Sequence, residues 1–152
     1  MNIFWDTSAV LALVLKDKHG KSAAGQALRT DVHHVTTPLV VLEAENKLNA
    51  LVWQKEITRE AGACTMVARE RFFAARLITV RNVKEARLIA AEGRRMIRHF
   101  SSERPHKTMD LIHVASVRLL RAEGFFTFDS NQSALAKAAG FQIIVSLSAD
   151  TP

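Results

Sequence analysis

Cysteine is almost missing from this chain of 152 residues. Cys64 is the only one, which excludes a disulfide framework and a cysteine-based zinc site. Long hydrophobic runs are missing too. The apolar stretch Ala9 to Leu15 falls far short of the roughly 20 residues that span a bilayer, so no membrane association is expected. No basic region precedes that stretch, and Asp6 interrupts the apolar start, so a signal peptide is not expected and a cytoplasmic location is. There is no glycine-rich phosphate loop: "DTSA" after the first apolar run lacks the glycines such a loop needs. There is no G-x-S-x-G nucleophile elbow. The six histidines show no metal-ligand spacing, and His113, inside an apolar helix, reads as a satisfied core residue. Aromatics make up only 7%, without an evident stacking platform. No internal repeat or low-complexity tract occurs.

What is present is a chain of ordinary domain size with a 48% hydrophobic composition, enough for a real core. One domain over 1–152 is expected. The formal charge is +6. Between Arg69 and Lys107 there are 11 Lys/Arg against 4 Asp/Glu, while the rest of the chain holds 10 against 11. One middle segment therefore carries the basic excess. Such a segment suits a polyanion, and it equally suits a solvated pair of helices.

The hydrophobic pattern alternates short apolar strands with helices. "NIFW" reads as a strand, followed by a helix from Ser8 to about Leu15 capped by Thr7 or Ser8. A helix over Lys21–Arg29 and a strand in "HHVTT" follow. Thr37 caps a helix that opens on Pro38 and runs to about Gln54. A second long helix spans about Thr58 to Arg76, "LITV" is a short edge strand, and Val83 to Phe100 is helical. After the loop "SSERPHKT", Thr108 caps a helix running to Glu123 with Gly124 just past its end. "FFTF" is a buried strand, Ser130 to Ala139 a helix closed by Gly140, and "FQIIVSL" the last strand. Continuously apolar strands alternating with helices mean an α/β fold with a parallel sheet covered on both faces.

In such sheets ligands bind outside the carboxyl ends of the strands. Asp6 and Asp129 each follow an apolar strand, so both point at that edge. Asp110 lies in the first turn of the helix opened by Thr108. It is either an ordinary charge at a helix N-terminus or, because "MDLIHVASVRLL" is apolar nearly all round, a carboxylate facing the same edge. Glu43 stands on a flank of its helix, one turn before Lys47, as an ordinary i,i+4 pair or a site residue. Glu45 rivals it on the other flank, and periodicity does not choose between them. Four acids at one edge repel one another unless a hard divalent cation compensates them. Thr7, Ser8 and Thr127 are placed to hold a carboxylate rotamer or a metal-bound water.

"FWDTSAVLAL", "PLVVLEAENKL", "MDLIHVASVRLL" and "FFTFDSNQSALAKAAGF" resemble, in order and spacing, the four acidic motifs of PIN domains. The resemblance is to the VapC-type toxin nucleases of VapBC toxin–antitoxin pairs in particular, and it covers nearly the whole chain. It implies a three-layer α/β/α fold with a central parallel sheet ordered 3-2-1-4-5. It implies cleavage of RNA that depends on Mg²⁺ or Mn²⁺, a small VapB-like antitoxin as partner, and a homodimer. The family's carboxylates map onto Asp6, Glu43, Asp110 and Asp129, which selects Glu43 over Glu45. The stretch from Thr58 to Phe100 is long for that family.

The chemistry expected is phosphodiester hydrolysis. Asp6, Asp110 and Asp129 hold the cation, directly or through water, and Glu43 helps hold it or positions the attacking water. Arg94, Arg95, Arg98 and Lys107 supply phosphate contacts. The alternatives are a PIN-type RNA-processing nuclease outside a toxin pair, and a nucleic-acid-binding module without catalysis. A phosphatase of the aspartyl-phosphate type wants an aspartate two residues after Asp6, where this chain has Ser8.

Overall fold

The computed structural model describes residues 1–15, 17–100 and 105–144. Five strands form one sheet: β1 (Asn2–Trp5), β2 (His33–Thr36), β3 (Thr79–Val80), β4 (Gly124–Phe126) and β5 (Gln142–Ile144). All are parallel, in the order β3-β2-β1-β4-β5. Seven helices connect or flank them among the described residues: α1 (Thr7–Leu15), α2 (Gly20–Ala27), α3 (Pro38–Trp53), α4 (Arg59–Ala74), α5 (Ala86–Phe100), α6 (Thr108–Leu119) and α7 (Ser130–Ala138).

Strand order and handedness together fix the layers. From β1 the chain steps outward to β2 and β3, and from β4 it steps the opposite way to β5. Right-handed crossovers then put the helices of the first half on one face and those of the second half on the other. The packing follows that division: α1 lies against α2, α3 and α4, while α6 lies against α5 and α7. The direction reverses between the adjacent strands β1 and β4, so the crevice at their carboxyl ends is the topological switch point where such sheets bind ligands.

The core explains why these strands carry no polar alternation. Ile3, Phe4 and Trp5 of β1 and Phe125 and Phe126 of β4 are fully buried, because helices cover both faces. Each contributes on the order of 1.5–3 kcal/mol by leaving water. Phe4 stacks on Phe125, and Trp5 meets Phe126 edge-on. The Trp5 indole N–H donates to His34 Nδ1 at 3.1 Å, a polar handle satisfied inside the core. His33, the next residue, is exposed, as adjacent strand positions require.

Several boundaries differ from the sequence reading. Helix α1 opens at Thr7, and its cap is Asp6, whose Oδ1 accepts from the Ala9 N–H at 2.9 Å. Helix α6 begins at Thr108 itself, with Lys107 at the cap position and no side-chain cap bond. It ends at Leu119, and Gly124 is the first residue of β4. There Gly124 faces Ile3 and Gln142, and an added Cβ would stand 3.0 Å from Ile144 Cδ1. β4 stops at Phe126, so Asp129 lies three residues beyond the strand and caps α7. Thr37 and Thr58 cap α3 and α4 by accepting from Val40 and Ala61 N–H groups. The far end of the expected last strand and the first half of the "SSERPHKT" loop fall outside the described residues.

Candidate active site

Asp6 is fully buried at the end of β1. The β1–β4 register sets Trp5 against Phe126, which brings Thr127 alongside Asp6. Asp6 Oδ1 accepts from Ser8 Oγ at 2.8 Å and from the Ala9 N–H, while Oδ2 accepts from Thr127 Oγ1 at 2.7 Å. Each hydroxyl has one proton, and both protons go to Asp6. Each hydroxyl also accepts from a backbone amide: Ser8 Oγ from Phe128 at 2.8 Å, Thr127 Oγ1 from Asp129 at 2.9 Å. The two hydroxyls thus tie the β4–α7 loop to the carboxylate. Burial drives the Asp6 pKa up to about 6, against the lowering effect of those three donors and of nearby Lys47.

The other acids reach the same edge from three helices. Asp129 caps α7, its Oδ1 accepting from Asn131 at 2.8 Å and Gln132 at 3.1 Å. Asp110, buried in the first turn of α6, accepts on Oδ1 from Gln132 Nε2 at 3.3 Å. Its pKa is raised, first by burial and then by the negative charge of Asp129, with Glu43 adding to it and Lys107 opposing. Glu43 projects from α3. Thr7 Oγ1 donates to its Oε2, His113 Nε2 stands 3.3 Å from that same oxygen, and Lys47 Nζ stands 3.4 Å from Oε1. Glu45 turns the other way, to Arg69 of α4 at 2.7 Å. The four carboxylates therefore converge at one end of the sheet, with Glu45 elsewhere.

All the convergent donors are oxygens, a set that suits a hard cation such as Mg²⁺ or Mn²⁺. Among the described residues no three Asp, Glu, His or Cys side chains are grouped so that they alone could hold a metal ion. The arrangement fits a cation taken by one or two carboxylates and completed by water and phosphate oxygens, the usual habit of Mg²⁺.

Two side chains at the site escape sequence reasoning. Gln132 links the Asp129 cap to Asp110 and is buried. Its signal was the Asp-x-x-Gln spacing of a capping box, whose glutamine here turns to Asp110. His113 is buried as expected of a core residue, yet neither ring nitrogen has an aligned hydrogen bond. Its pKa falls to about 4 because burial disfavours the cation, so the ring is neutral.

The basic residues divide. Arg94, Arg98 and Lys107 are exposed and form no ion pair among the described residues. Arg95 is forked onto Glu92 of its own helix, at 2.8 Å. Arg69 is 3% exposed and bound to Glu45 and Glu70, so it clamps α4 to α3 and offers nothing to a polyanion.

The fold recurs in solved structures. VapC20 of Mycobacterium tuberculosis, described as a sarcin–ricin loop cleaving toxin, is 25% identical, with a TM-score of 0.64 over 91% of this chain and 95% of that one. VapBC-1 of nontypeable Haemophilus influenzae matches at 16% identity and a TM-score of 0.62, over 95% and 97%. VapBC2 of Rickettsia felis, solved on a DNA fragment from its promoter, matches at 12% and 0.63, over 95% and 98%. No curated protein matches the chain significantly. The PIN domain family model matches residues 3–138, a span that takes in all four carboxylates from Asp6 to Asp129, and the chain belongs to the PIN domain family.

Proposed function

We propose that this PIN-domain nuclease is a metal-dependent endoribonuclease, formed by a single domain over residues 1–152, and the toxin of a type II toxin–antitoxin pair. The observation that carries the reading is Asp6: a carboxylate fully buried at the β1/β4 switch point and held by three donors, with Asp110, Asp129 and Glu43 near one another at the same end of the sheet. Burying a carboxylate with its pKa pushed to about 6 destabilises the fold at neutral pH, so its placement answers to chemistry.

Asp6, Asp110 and Asp129 hold the cation, directly or through water, and Glu43 orients the water that attacks phosphorus. The cation, when bound, polarises the phosphoryl oxygen and favours ionisation of that water. Thr7, Ser8 and Thr127 keep the carboxylates in one rotamer. Arg94, Arg98 and Lys107 bind the RNA backbone, and Arg95, forked onto Glu92, contributes less than they do. The likeness to VapC20 supports RNA as the polymer, and the likeness to two VapBC structures supports a VapB-like antitoxin as partner; a homodimeric assembly is what the family resemblance implies.

The test is incubation of the purified protein with total cellular RNA in Mg²⁺, Mn²⁺ or EDTA, with mapping of the new ends. Discrete cuts that need the cation and vanish in Asp6→Asn are expected. Cutting that survives EDTA, or persists at wild-type rate in Asp6→Asn, rejects the metal site. Binding of RNA without any cutting supports a non-catalytic module instead. Co-purification with a small protein encoded beside the gene separates a toxin from an RNA-processing nuclease.

A further inference from the structure

We propose that His113 is a positioning residue for the cleavage reaction, acting through Glu43: it holds the Oε2 edge of that carboxylate so that the other edge faces the reacting water. The inference rests on the reading of Glu43 given above.

His113 lies on α6 one turn after Asp110, with Leu111, Val114, Ala115 and Val117 buried around it. Its side chain is completely inaccessible, and both ring nitrogens are buried without an aligned hydrogen bond. A leucine would fill this position at less cost, because a buried polar group without its bond destabilises by about 1–3 kcal/mol. The imidazole therefore has something to do. Across the helix interface Glu43 Oε2 stands 3.3 Å from Nε2. The same oxygen accepts from Thr7 Oγ1, itself buried in the first turn of α1. Lys47 holds Oε1 from the exposed side at 3.4 Å. Three elements (α1, α3 and α6) thus meet at one carboxylate.

The tautomer with a proton on Nε2 aims that N–H at Glu43 Oε2. At 3.3 Å Nε2 stands within reach of the carboxylate, though the pair is not aligned as a hydrogen bond. Nothing passes between His113 and the substrate: it touches only the group that orients the water, and its contribution is geometry. A misplacement of about 1 Å in such a group costs as much as a hundredfold in rate.

The experiment compares His113→Leu and His113→Gln with the wild type on an RNA fragment carrying one mapped cleavage site. Melting temperature, kcat and KM are measured, and the same substitutions are made in a Glu43→Gln background. Leucine removes the donor and suits the apolar surroundings. His113→Leu is expected to melt at or above the wild type while kcat falls about tenfold or more and KM stays within about twofold. Glutamine keeps a donor at similar reach, and His113→Gln is expected to retain more activity than His113→Leu. In the Glu43→Gln background the leucine substitution should cost nothing further, since the residue acts only through Glu43. The proposal is overturned if His113→Leu keeps kcat within about twofold of wild type, if its loss adds to that of Glu43→Gln, or if neither variant folds, which makes His113 a core residue and no more. Full activity in Glu43→Gln alone rejects the role of Glu43 first and the proposal with it.

Discussion

Asp6 gathers two opposed demands in one side chain. Its donors favour the carboxylate, its burial favours the acid, and burial wins: the folded-state pKa is about 6 against 3.8 for a free aspartate. A raised folded-state pKa favours folding fully below the unfolded value, and that contribution is lost as pH rises through the folded value. The window is therefore pH 4 to 6, and the difference of roughly 2 units corresponds to about 3 kcal/mol. Asparagine cannot titrate and fits the site, because Thr127 can accept from the new amide and turn its own proton to Ser8, 3.2 Å away. In EDTA, the stability of the wild type relative to Asp6→Asn should thus fall by up to about 3 kcal/mol between pH 4 and pH 7. Urea denaturation of both proteins across that range measures it, and a constant difference rejects a raised Asp6 pKa. Asp6 was legible in the sequence because a carboxylate directly after an apolar strand has one place to go. Gln132 and His113 were not, because their meaning lies in partners 22 and 70 positions away along the chain, Asp110 and Glu43, which only the packing of α7 and α6 brings within reach.

At the scale of elements, the alternation of strands and helices and the number of each follow from the apolar runs, the strand order is what the family resemblance implies, and the helix ends follow from neither. Gly140, in the left-handed region at φ +88, closes α7 where a glycine signals it. α3, α4 and α6 end in the same left-handed turn with Lys55, Arg76 and Arg121 at the positive-φ position, where the sequence carries no such signal. Each turn is fixed by a pair of backbone bonds, as from Lys55 to Val52 at 3.1 Å and Glu56 to Leu51 at 2.9 Å. A side chain costs about 1 kcal/mol in that conformation, so Lys55→Gly should stabilise the protein by roughly 0.5–1 kcal/mol although it shortens an exposed residue to nothing. A melting temperature at or below wild type would argue against the left-handed turn. Glycines within helices divide by the same reasoning. Gly93 of α5 has open space around its missing Cβ, so Gly93→Ala should gain about 1 kcal/mol from helix propensity. At Gly62 of α4 an added Cβ would stand 2.7 Å from Val52 Cγ2, where α4 crosses α3, so Gly62→Ala should lose stability despite the same propensity. Opposite shifts in melting temperature check the pair, and parallel gains would mean that α3 and α4 do not pack so closely.

Over the whole molecule the basic excess is smaller in effect than in count. Arg69 is consumed inside the α3–α4 contact, and Glu92 binds both Arg95 and Arg118 where α5 meets α6. What α5 leaves exposed and unpaired among the described residues is Arg94 and Arg98. They ride on a helix packed against α6, the helix that carries Asp110 in its first turn. An acidic centre repels a polyanion, and positive charge elsewhere on the same molecule offsets that repulsion for the proposed RNA substrate. Single-stranded RNA loses affinity with salt at a slope of about −0.7 for each phosphate neutralised. If Arg94 and Arg98 each hold one phosphate, Arg94→Glu/Arg98→Glu should flatten the plot of log K against log salt by about 1.4 and raise KM. Its kcat at saturating RNA should stay near wild type, because neither residue reaches the reacting atoms. Arg95→Ala, which removes a guanidinium already bound to Glu92, should change the slope by less than either arginine of the pair. Filter binding of a labelled oligonucleotide from low to physiological salt gives the slopes. An unchanged slope in the double variant would place the RNA on another face of the molecule, and an effect of Arg95→Ala equal to that of its neighbours would mean that RNA displaces Glu92 from the fork.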